Sequence, residues 1–541
     1  MTLYCISAIL ISCILLSSPG EQIGTTSYDA FSHPFGQRLF VDDSNQIHVN
    51  WVYSSGEYPG NPLFIKWNFR FAHGAWYGET DASPSVSGHC QLDVMRGDPC
   101  PAKRTINAWH FGGRSYISID EGSGWGSWPG DTNSPNIDDH LWPYIACAQN
   151  NNVILATGNP EADSLHIYLT TDEGETWTHV ADFDSVRSYF VRSSNNSSRV
   201  VAAWLRSDDV WYMYSRDCGV TWGEPQNITH YQTYPIDTVS AWNDVNAVFD
   251  AHDDIHVAWT GIQVDTAYHC ASKIFHWDEV SDTITVVSGD WWSWPLSWWL
   301  PAYEPQLITG TENGYLYCLW HGQTDTTDTS SAGLPNGDLY GAYSTDNGIT
   351  WSQWLNLTNT HSPGAPPGEC EDEDYMTANP CVVSDSILIT YVMDKDAGSA
   401  GDGQGVRTEN PVYCWIFHKG LITGIEEEES SEPEYALSML RVYPNPFKEI
   451  TDIRCGPALL RKARPRIWDE KSKENDASLK IYDASGRLVR DLSLPTAYSL
   501  LPTTIRWDGT DQSGNKLSAG VYFVKLISGD KSLTGKIVKL R

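Results

Sequence analysis

An apolar segment, a short polar turn and a second apolar segment recur along most of the chain. The copies, several of which end in Trp, lie at 38–51, 104–109, 145–158, 199–204, 247–259, 307–320 and 381–391. Short apolar runs separated by turns containing Asp, Asn or Gly predict β-hairpins whose two faces both need a neighbour. Such hairpins, stacked around an axis, form a β-propeller with repeats of about 40–50 residues. We therefore predict an all-β body, a propeller of six or seven blades, with seven favoured.

A second repeat reinforces this prediction. TTDEGETW (170–177), SRDCGVTW (215–222) and STDNGITW (344–351) share one pattern, and SIDEGSGW (118–125) is a degraded copy. In this pattern the Asp carboxylate accepts backbone N–H bonds within a hairpin turn, and Gly adopts a positive φ. The pattern resembles the Asp-box, or BNR repeat, of the sialidase-like propellers. The resemblance implies such a propeller over residues 28–424, with structural roles for Asp120, Asp172, Asp217 and Asp346.

Composition and charge narrow the function classes. The chain has 25 Trp, 27 Tyr and 43 Gly, which favours many short strands joined by tight turns. The formal net charge is −33, but residues 437–541 hold 19 Lys and Arg against 11 Asp and Glu. The body before residue 437 is therefore strongly acidic. It should repel nucleic acid and anionic lipid surfaces.

The N-terminus indicates export. Residues 2–17 form an apolar run too short to cross a bilayer comfortably, so 1–20 are interpreted as a signal peptide, and we expect no transmembrane segment in the mature chain. The expected location is secreted or attached to the outer-membrane surface. Disulfides between Cys90 and Cys100, and between Cys370 and Cys381, would suit an oxidising compartment.

An acidic stretch at 425–436 is interpreted as a linker, after which 437–541 change character. The segments 441–447 (RVYPNPF), 479–492, 505–526 and 534–541 alternate apolar and polar residues between Gly-containing turns, which predicts a small antiparallel sandwich. They resemble the C-terminal sorting domain of type IX secretion cargo and, equally, the immunoglobulin-like module of flagellar hook-capping proteins. The resemblance implies an outer-membrane targeting device with the secretion machinery as partner.

The sialidase resemblance also predicts which kind of residue should bind the substrate. Sialidases hold the substrate carboxylate with three arginines, because a buried carboxylate needs charge-assisted pairing. Between the predicted signal peptide and the linker the arginines stand at 38, 70, 96, 104, 114, 187, 192, 199, 206, 216 and 407. The long stretch without arginine after Arg216 disfavours authentic sialidase activity.

Other chemistry must come from the segments that enter the innermost strands of the predicted blades. Four entrances align at 138–146, 242–249, 303–308 and 374–382. They bring forward the catalytic candidates Asp139, Asp244, Glu304, Asp374 and Tyr375. Paired carboxylates can act as acid and base or nucleophile in glycoside cleavage, or can hold calcium. The alternative is that these polar residues only cap strand ends.

Binding candidates lie beside these entrances: His140, Asn246 and Gln306, with Trp298 and Trp299 as an aromatic platform. The two tryptophans belong to a run of five Trp within nine residues at 291–299, and flat aromatic faces suit sugar rings. No cofactor is required and no metal ligand is assigned, although calcium is possible. We predict a surface propeller that binds glycan or a surface protein, with a secreted glycoside hydrolase as the alternative. Two carboxyl groups within about 5–10 Å in a closed cleft would favour the enzyme.

Overall fold

The computed structural model describes residues 19–29, 36–54, 56, 62–70, 74–83, 87–98, 103–129, 135, 138, 140–159, 163–231, 239–264, 270–293, 300–423, 437–443, 447–448, 450–457, 477–492, 503–528 and 531–540. The chain divides into two compact units, Met1–Glu426 and Glu427–Arg541. The division falls inside the predicted linker, which, like residues 1–18 of the predicted signal peptide, lies outside the described residues.

The prediction of an all-β chain is confirmed. Within the described residues, helical structure is confined to a 3₁₀ turn at Ala400–Asp402 and to α1 (Gly420–Thr423). None of the helices in this part of the chain is long and apolar enough to cross a membrane.

Unit 1 consists of antiparallel sheets of consecutive strands. Strand β1 (Glu21–Thr26) comes first. Sheet 1 contains β2 (Leu39–Val41), β3 (Ile47–Ser54), β4 (Leu63–Arg70) and β5 (Thr80–Asp81). Sheet 2 contains β6 (Gly88–Val94), β7 (Thr105–Phe111) and β8 (Arg114–Ile119). Sheet 3 contains β9 (Leu141–Cys147), β10 (Val153–Asn159), β11 (Ser164–Thr170) and β12 (Thr178–Asp184).

The remaining sheets of unit 1 follow the same plan. Sheet 4 contains β13 (Val186–Ser193), β14 (Val200–Arg206), β15 (Asp209–Ser215) and β16 (Gln226–Asn227). Sheet 5 contains β17 (Ser240–Phe249), β18 (Ile255–Val264), β19 (Cys270–Asp278), β20 (Thr283–Val286) and β21 (Trp292–Ser293). Sheet 6 contains β22 (Ala302–Thr309), β23 (Leu316–Gly322), β24 (Asp338–Ser344) and β25 (Leu355–Asn356). Sheet 7 contains β26 (Asp372–Ala378), β27 (Ser386–Asp394) and β28 (Asn410–His418).

These seven sheets form a ring. The first strand of each sheet packs against the first strand of the next, and β26 of sheet 7 packs against β2 of sheet 1. Separate apolar cores lie between sheets 1 and 2, 2 and 3, 3 to 5, 5 and 6, 6 and 7, and 7 and 1. Strand β1 pairs with β28 at the edge of sheet 7, so residues 21–26 are hydrogen-bonded to the last strand of unit 1. Each sheet thus buries both faces against neighbours, as the repeated hairpins require.

The Asp-box turns lie between the third and fourth strands of sheets 3, 4 and 6. In each full copy the Asp accepts the backbone N–H of the Thr four residues later at 2.8–2.9 Å and its hydroxyl at 2.6–2.7 Å; the three carboxylates are Asp172, Asp217 and Asp346. Asp120 follows β8 and accepts N–H groups from residues 125–127. All four side chains are thus held in local turns by hydrogen bonds.

Unit 2 is built from two antiparallel sheets. Sheet 8 contains β29 (Leu437–Tyr443), β30 (Thr451–Pro457) and β33 (Thr503–Trp507). Sheet 9 contains β31 (Ala477–Asp483), β32 (Leu488–Leu492), β34 (Gly520–Ser528) and β35 (Lys531–Lys539). Ile453 and Trp507 of sheet 8 share one core with Leu479 and Val524 of sheet 9. The two sheets therefore pack face to face around a common core.

The predicted disulfides are wrong. Cys370 and Cys381 are both free thiols. The sulfur of Cys370 faces the carbonyl of Ala365 at 3.6 Å, whereas that of Cys381 accepts a hydrogen bond from Asn379 Nδ2 at 3.5 Å, so each has its own surroundings. Cys90 is also a free, buried thiol, and Cys100 lies outside the described residues.

Candidate active site

β-bulges reshape the first strands of six sheets near their N-terminal ends. The pairing register shifts at this point for β6, β9, β13, β17, β22 and β26. At four of the bulges a residue other than Gly adopts a positive φ: His89 (52°), Trp142 (55°), Glu304 (55°) and Tyr375 (58°). A bulge redirects side chains, and left-handed non-Gly residues cost of order 1–3 kcal/mol each, which proteins typically accept at functional sites. The N-terminal ends of the first strands, where the bulges lie, are therefore the expected location of a functional site.

Three groups converge there. Glu304, His321 and Asp374 each offer one oxygen or nitrogen atom, and these atoms all lie within 4.8 Å of one another. His321 Nε2 lies 3.7 Å from Asp374 Oδ1. Glu304 is 7% exposed and His321 1%, whereas the side chain of Asp374 retains 24% of its exposure. The pair of carboxyl groups is thus close, enclosed and reachable through Asp374.

Asp244 holds Glu304 in place. Its Oδ2 accepts the backbone N–H of Glu304 at 2.7 Å, while its Oδ1 accepts both the N–H and the hydroxyl of Thr260, at 3.1 and 2.7 Å. Asp244 is 2% exposed. Because its oxygens are occupied by these donors, Asp244 acts as a positioning residue for the Glu304 bulge.

The surroundings separate the protonation states of these groups. Burial, reinforced by the charges of Asp374 and Asp244, raises the pKa of Glu304 well above its ordinary value. Burial raises the pKa of Asp374 to about 6, with the N–H of Tyr375, Arg38 and the Tyr303 hydroxyl opposing it. Burial also lowers the pKa of His321 to about 3. These shifts favour the protonated form of Glu304, and at neutral pH they leave Asp374 mainly a carboxylate and His321 neutral.

Arg38 supplies the positive charge of the site. It is 4% exposed, immediately precedes β2, and its Nη2 donates to the carbonyl oxygen of Tyr375 at the β26 bulge. Its charge lowers the pKa of both Glu304 and Asp374. A buried guanidinium beside two carboxyl groups compensates the single negative charge that the pair carries at neutral pH.

An aromatic and imidazole wall adjoins the carboxyl groups. The ring centroids of His89 and Tyr144 are 5.4 Å apart, those of His89 and His110 6.2 Å, and those of Tyr144 and Tyr189 5.1 Å. Burial raises the pKa of Tyr144 well above its ordinary range, and Glu304 raises it further, which places this phenol within electrostatic reach of the carboxyl pair. The wall therefore belongs to the same central site.

Two groups of residues bound the site, an aromatic residue with an arginine at its rim and a hydrogen-bonded bridge at its floor. At the rim, Trp242 is 39% exposed and the guanidinium of Arg187 lies 4.8 Å from its ring centroid. On the far side, Arg192 Nη1 of sheet 4 donates to Gln37 Oε1 beside sheet 1 at 2.7 Å. Gln37 Nε2 also donates to the carbonyl of Ala378, three residues beyond the β26 bulge, at 3.0 Å. This bridge spans the ring past the bulges and closes the site at that depth.

The residues predicted from sequence are only partly brought together. Asp244, Glu304 and Asp374 meet at the centre. The side chain of Tyr375 instead packs in the apolar core between sheets 7 and 1, and its hydroxyl donates to Asp29 Oδ1 at 3.3 Å. Asn246 and Gln306 instead connect neighbouring first strands, since their side-chain oxygens accept the N–H of Leu307 at 3.1 Å and of Ala378 at 3.4 Å.

The imidazole of His140 contacts two side chains of sheet 3, while its backbone is hydrogen-bonded to Gly113 and Ser115 of sheet 2. Its Nε2 lies 3.2 Å from the hydroxyl of Tyr168, and its ring centroid is 4.2 Å from that of His166. Asp139, Trp298 and Trp299 lie outside the described residues. Trp292, from the same tryptophan run, is buried in the core between sheets 5 and 6.

Sequence reasoning missed several groups of this site: Arg38, His321, Tyr144, His89 and Trp242. Arg38 opens a copy of the hairpin repeat, and Tyr144 and Trp242 lie within predicted entrances, so position in the repeat was an available signal for them. His321 is the penultimate residue of the second strand of sheet 6 and offers its ring nitrogen beside Glu304 and Asp374.

The three central ligand groups could also hold a divalent cation. One imidazole and two carboxylates form a donor set of the zinc type, whereas calcium prefers six to eight oxygen ligands. The neighbouring Arg38 guanidinium and the proton on Glu304 both oppose a cation there. The arrangement suits proton transfer better than metal binding.

Comparisons with known proteins give the following similarities. Residues 468–532 match the family model of the FlgD Ig-like domain. No curated protein matches the sequence significantly. Among solved structures, a polysaccharide lyase PL25 ulvan lyase bound to -[GlcA(1-4)Rha3S]- is 10% identical, with 74% of this chain and 96% of that chain covered and a TM-score of 0.45.

Two further structures are similar at the same level. An α-L-arabinanase of Penicillium chrysogenum is 11% identical, with 74% and 98% covered and a TM-score of 0.40. The NanB sialidase of Streptococcus pneumoniae is 12% identical, with 77% and 73% covered and a TM-score of 0.39. With TM-scores below 0.5, none of these structures transfers a fold assignment or an activity to this chain. The similarity that the sequence itself carries is therefore that of residues 468–532 to the FlgD Ig-like domain.

Proposed function

We propose that unit 1 is a seven-bladed β-propeller whose central site cleaves a glycan by carboxyl chemistry. The ring of seven sheets, the apolar core between each pair of neighbours and the contribution of β1 to the last sheet support the propeller. The observation that carries the activity is the Glu304–Asp374 pair, whose oxygens lie within 4.8 Å and whose surroundings raise the pKa of Glu304 well above its ordinary value.

Oxygens within 4.8 Å of each other are too close for an inverting glycosidase, whose carboxyl groups lie about 6.5–9.5 Å apart, so we propose a retaining mechanism. Glu304 donates its proton to the glycosidic oxygen as the bond to the anomeric carbon breaks. An oxygen of Asp374 attacks that carbon and forms a glycosyl ester. Glu304, now ionised, then removes a proton from a water molecule, whose oxygen displaces Asp374 and restores both groups to their starting states.

The residues at the rim of the site favour a sugar as the substrate. Trp242 presents a partly exposed aromatic face beside the Arg187 guanidinium, and aromatic faces with a polar edge suit sugar rings. A sialic acid is not the substrate that we propose. Among the described residues, Arg38 is the guanidinium whose charge acts on both carboxyl groups, and three arginines are expected for a sialidase.

Glycan binding without cleavage is the second candidate. Glu304 is 7% exposed, so a sugar oxygen must displace its surroundings before it can receive the proton. A site in which only Asp374 and the aromatic rim contact the ligand would bind and not cleave.

One experiment separates the two functions. The full chain is incubated with a broad glycan panel, and retained glycan and released product are both quantified. Cleavage predicts product that is lost in Glu304→Gln and Asp374→Asn, with glycan still retained, and unchanged in Glu175→Gln, which makes the same chemical change at an exposed position. Retention without product from any glycan in the wild-type chain would leave binding as the function.

We also propose that the chain is secreted or displayed at the outer-membrane surface, with unit 2 as the sorting device. The short apolar run at 2–17 and the match of residues 468–532 to the FlgD Ig-like domain support this proposal. Deletion from Leu437 onward should leave the protein in the periplasm. Unchanged export of the truncated chain would refute the sorting role.

A further inference from the structure

The hairpin between β17 and β18 concentrates metal-ligating side chains away from the central site. Asp250, His252 and Asp254 offer ligand atoms that all lie within 4.8 Å of one another. Asp250 Oδ2 lies 3.6 Å from His252 Nδ1 and 3.8 Å from Nε2 of His256, the second residue of β18. Two imidazole nitrogens therefore lie within 4 Å of one carboxylate oxygen, and the Asp254 carboxylate lies close by.

The backbone fixes this arrangement. Asp250 Oδ1 accepts the N–H groups of His252 and Asp254, at 2.9 and 2.8 Å, which turns its Oδ2 toward the two imidazoles. Asp253 is tied to the neighbouring sheet by the hydroxyls of Ser194 and Ser197. The ligand set is thus held by hydrogen bonds in advance of any ligand.

Two buried polar atoms in this cluster lack a hydrogen bond. Asp250 Oδ2 and His256 Nε2 have no hydrogen-bond partner among the described residues, although Asp250 is only 6% exposed and His256 1%. They face each other at 3.8 Å, which is too long for a hydrogen bond. Buried polar atoms are normally paired, and a cation between Asp250 Oδ2 and His256 Nε2 would pair both of them.

The contacts behind His256 fix the orientation of its ring. Its Nδ1 lies 3.0 Å from Nε2 of the fully buried His276, whose Nδ1 lies 3.3 Å from the hydroxyl of Thr285. His256 therefore turns Nε2 toward Asp250. Metal-ligating histidines are commonly oriented in this way by a partner on the other ring nitrogen.

We propose that Asp250, His252, Asp254 and His256 bind a transition-metal dication of the zinc type. Imidazole nitrogen and carboxylate oxygen are zinc ligands at about 2.0–2.2 Å, which places neighbouring ligands of a tetrahedral ion about 3.4 Å apart. The separations of 3.6 and 3.8 Å from Asp250 Oδ2 to the two imidazole nitrogens lie a few tenths of an ångström above that value. The ligand atoms of Asp250, His252 and Asp254 all lie within 4.8 Å of one another, and an ion there would draw His256 closer to them.

The β2–β3 hairpin of sheet 1 provides a comparison within the chain. Asp42 accepts the N–H groups of Ser44 and Gln46 in the same turn, and its Oδ2 lies 3.6 Å from His48 Nε2. The turn and its Asp–His pair are therefore a repeated structural feature. Sheet 5 differs in having His and Asp where sheet 1 has Ser44 and Gln46, and these two residues complete the ligand set.

The test is zinc titration of the full chain against a chromophoric chelator, with cobalt absorption as the signature of tetrahedral coordination. One equivalent of zinc should bind and raise the melting temperature. His252→Ala, a change at a half-exposed position, should weaken binding at least about tenfold. His179→Ala should leave zinc binding unchanged, since His179 already has a hydrogen bond to Asp182 at 2.7 Å.

A double substitution designed to create a second zinc site provides a further test. Ser44→His combined with Gln46→Asp should add a second equivalent of zinc at the β2–β3 hairpin. The proposal is overturned if the wild-type chain binds no zinc, or if His252→Ala binds it as tightly as the wild type. In that case a proton on His256 pairs with Asp250 instead. The glycan assay is independent of this outcome, because these ligands do not contact the central site.

Discussion

Unit 1 should become less stable as the pH rises from about 5 to about 8, because its buried carboxyl groups retain protons that the unfolded chain has released. Burial raises the pKa of Asp244 from 3.8 to about 7. A group whose pKa is raised in the folded state binds more protons there between the two values, so the free energy of unfolding falls through that window and levels off above it. Each pKa unit corresponds to about 1.4 kcal/mol, which makes the fall for Asp244 between pH 5 and pH 8 on the order of 3 kcal/mol.

The matched variant is Asp244→Asn, which keeps the shape of the side chain and removes its titration. Its stability should resemble that of the wild type at pH 5 and exceed it at pH 8 by about the amount stated. Urea unfolding followed by Trp fluorescence reports on unit 1, because 23 of the 25 Trp precede residue 427. Glu175→Gln, at an exposed position, should keep the wild-type pH profile. A wild-type midpoint that stays level or rises with pH, or a variant that keeps the whole fall, would refute the reasoning.

Three further outcomes are expected. Trp242→Ala should weaken glycan retention about tenfold and leave the unfolding midpoint within experimental error, because it removes a partly exposed aromatic face. Asp346→Ala should lower the free energy of unfolding of unit 1, measured by urea denaturation, by about 1–2 kcal/mol, since the turn from Ser344 to Thr350 loses its hydrogen-bond acceptor, and glycan cleavage should persist. Trp507→Ala should destabilise unit 2 by about 3–5 kcal/mol, seen as lost hydrogen-exchange protection in β30 to β35, with unit 1 unchanged.

The sequence predicted the strands because burial on two faces leaves a strong pattern. Each hairpin copy falls in one of the seven sheets, and the Trp at 51, 109, 204, 259 and 320 are all nearly or fully buried there. A Trp at the end of such a copy has one physical role, to fill the space between adjacent sheets. The pattern therefore repeats and can be recognised without the structure.

The site was less predictable because it combines residues that the repeat does not align. Asp244, Glu304 and Asp374 follow from aligned strand entrances, but their roles do not. Asp244 accepts three hydrogen bonds and positions a neighbour, whereas the Glu304 carboxyl oxygen Oε2 has no such partner among the described residues. Only the structure separates the two, because the sequence does not show which carboxyl oxygens already accept hydrogen bonds.

The bulges explain how a repetitive scaffold carries a site at all. A regular first strand would direct alternate side chains into the apolar layers between sheets, as the seven-fold packing requires. The shifts in register release one or two residues per strand from that rule, and at Glu304 and Tyr375 the released residue adopts a left-handed conformation. No Gly marks these positions, so the strain is imposed by the surrounding sheets and not by the local sequence. The bulged ends of the first strands thus carry the site, whereas their regular parts build the apolar cores. The central groups can therefore change without disturbing the cores between the sheets.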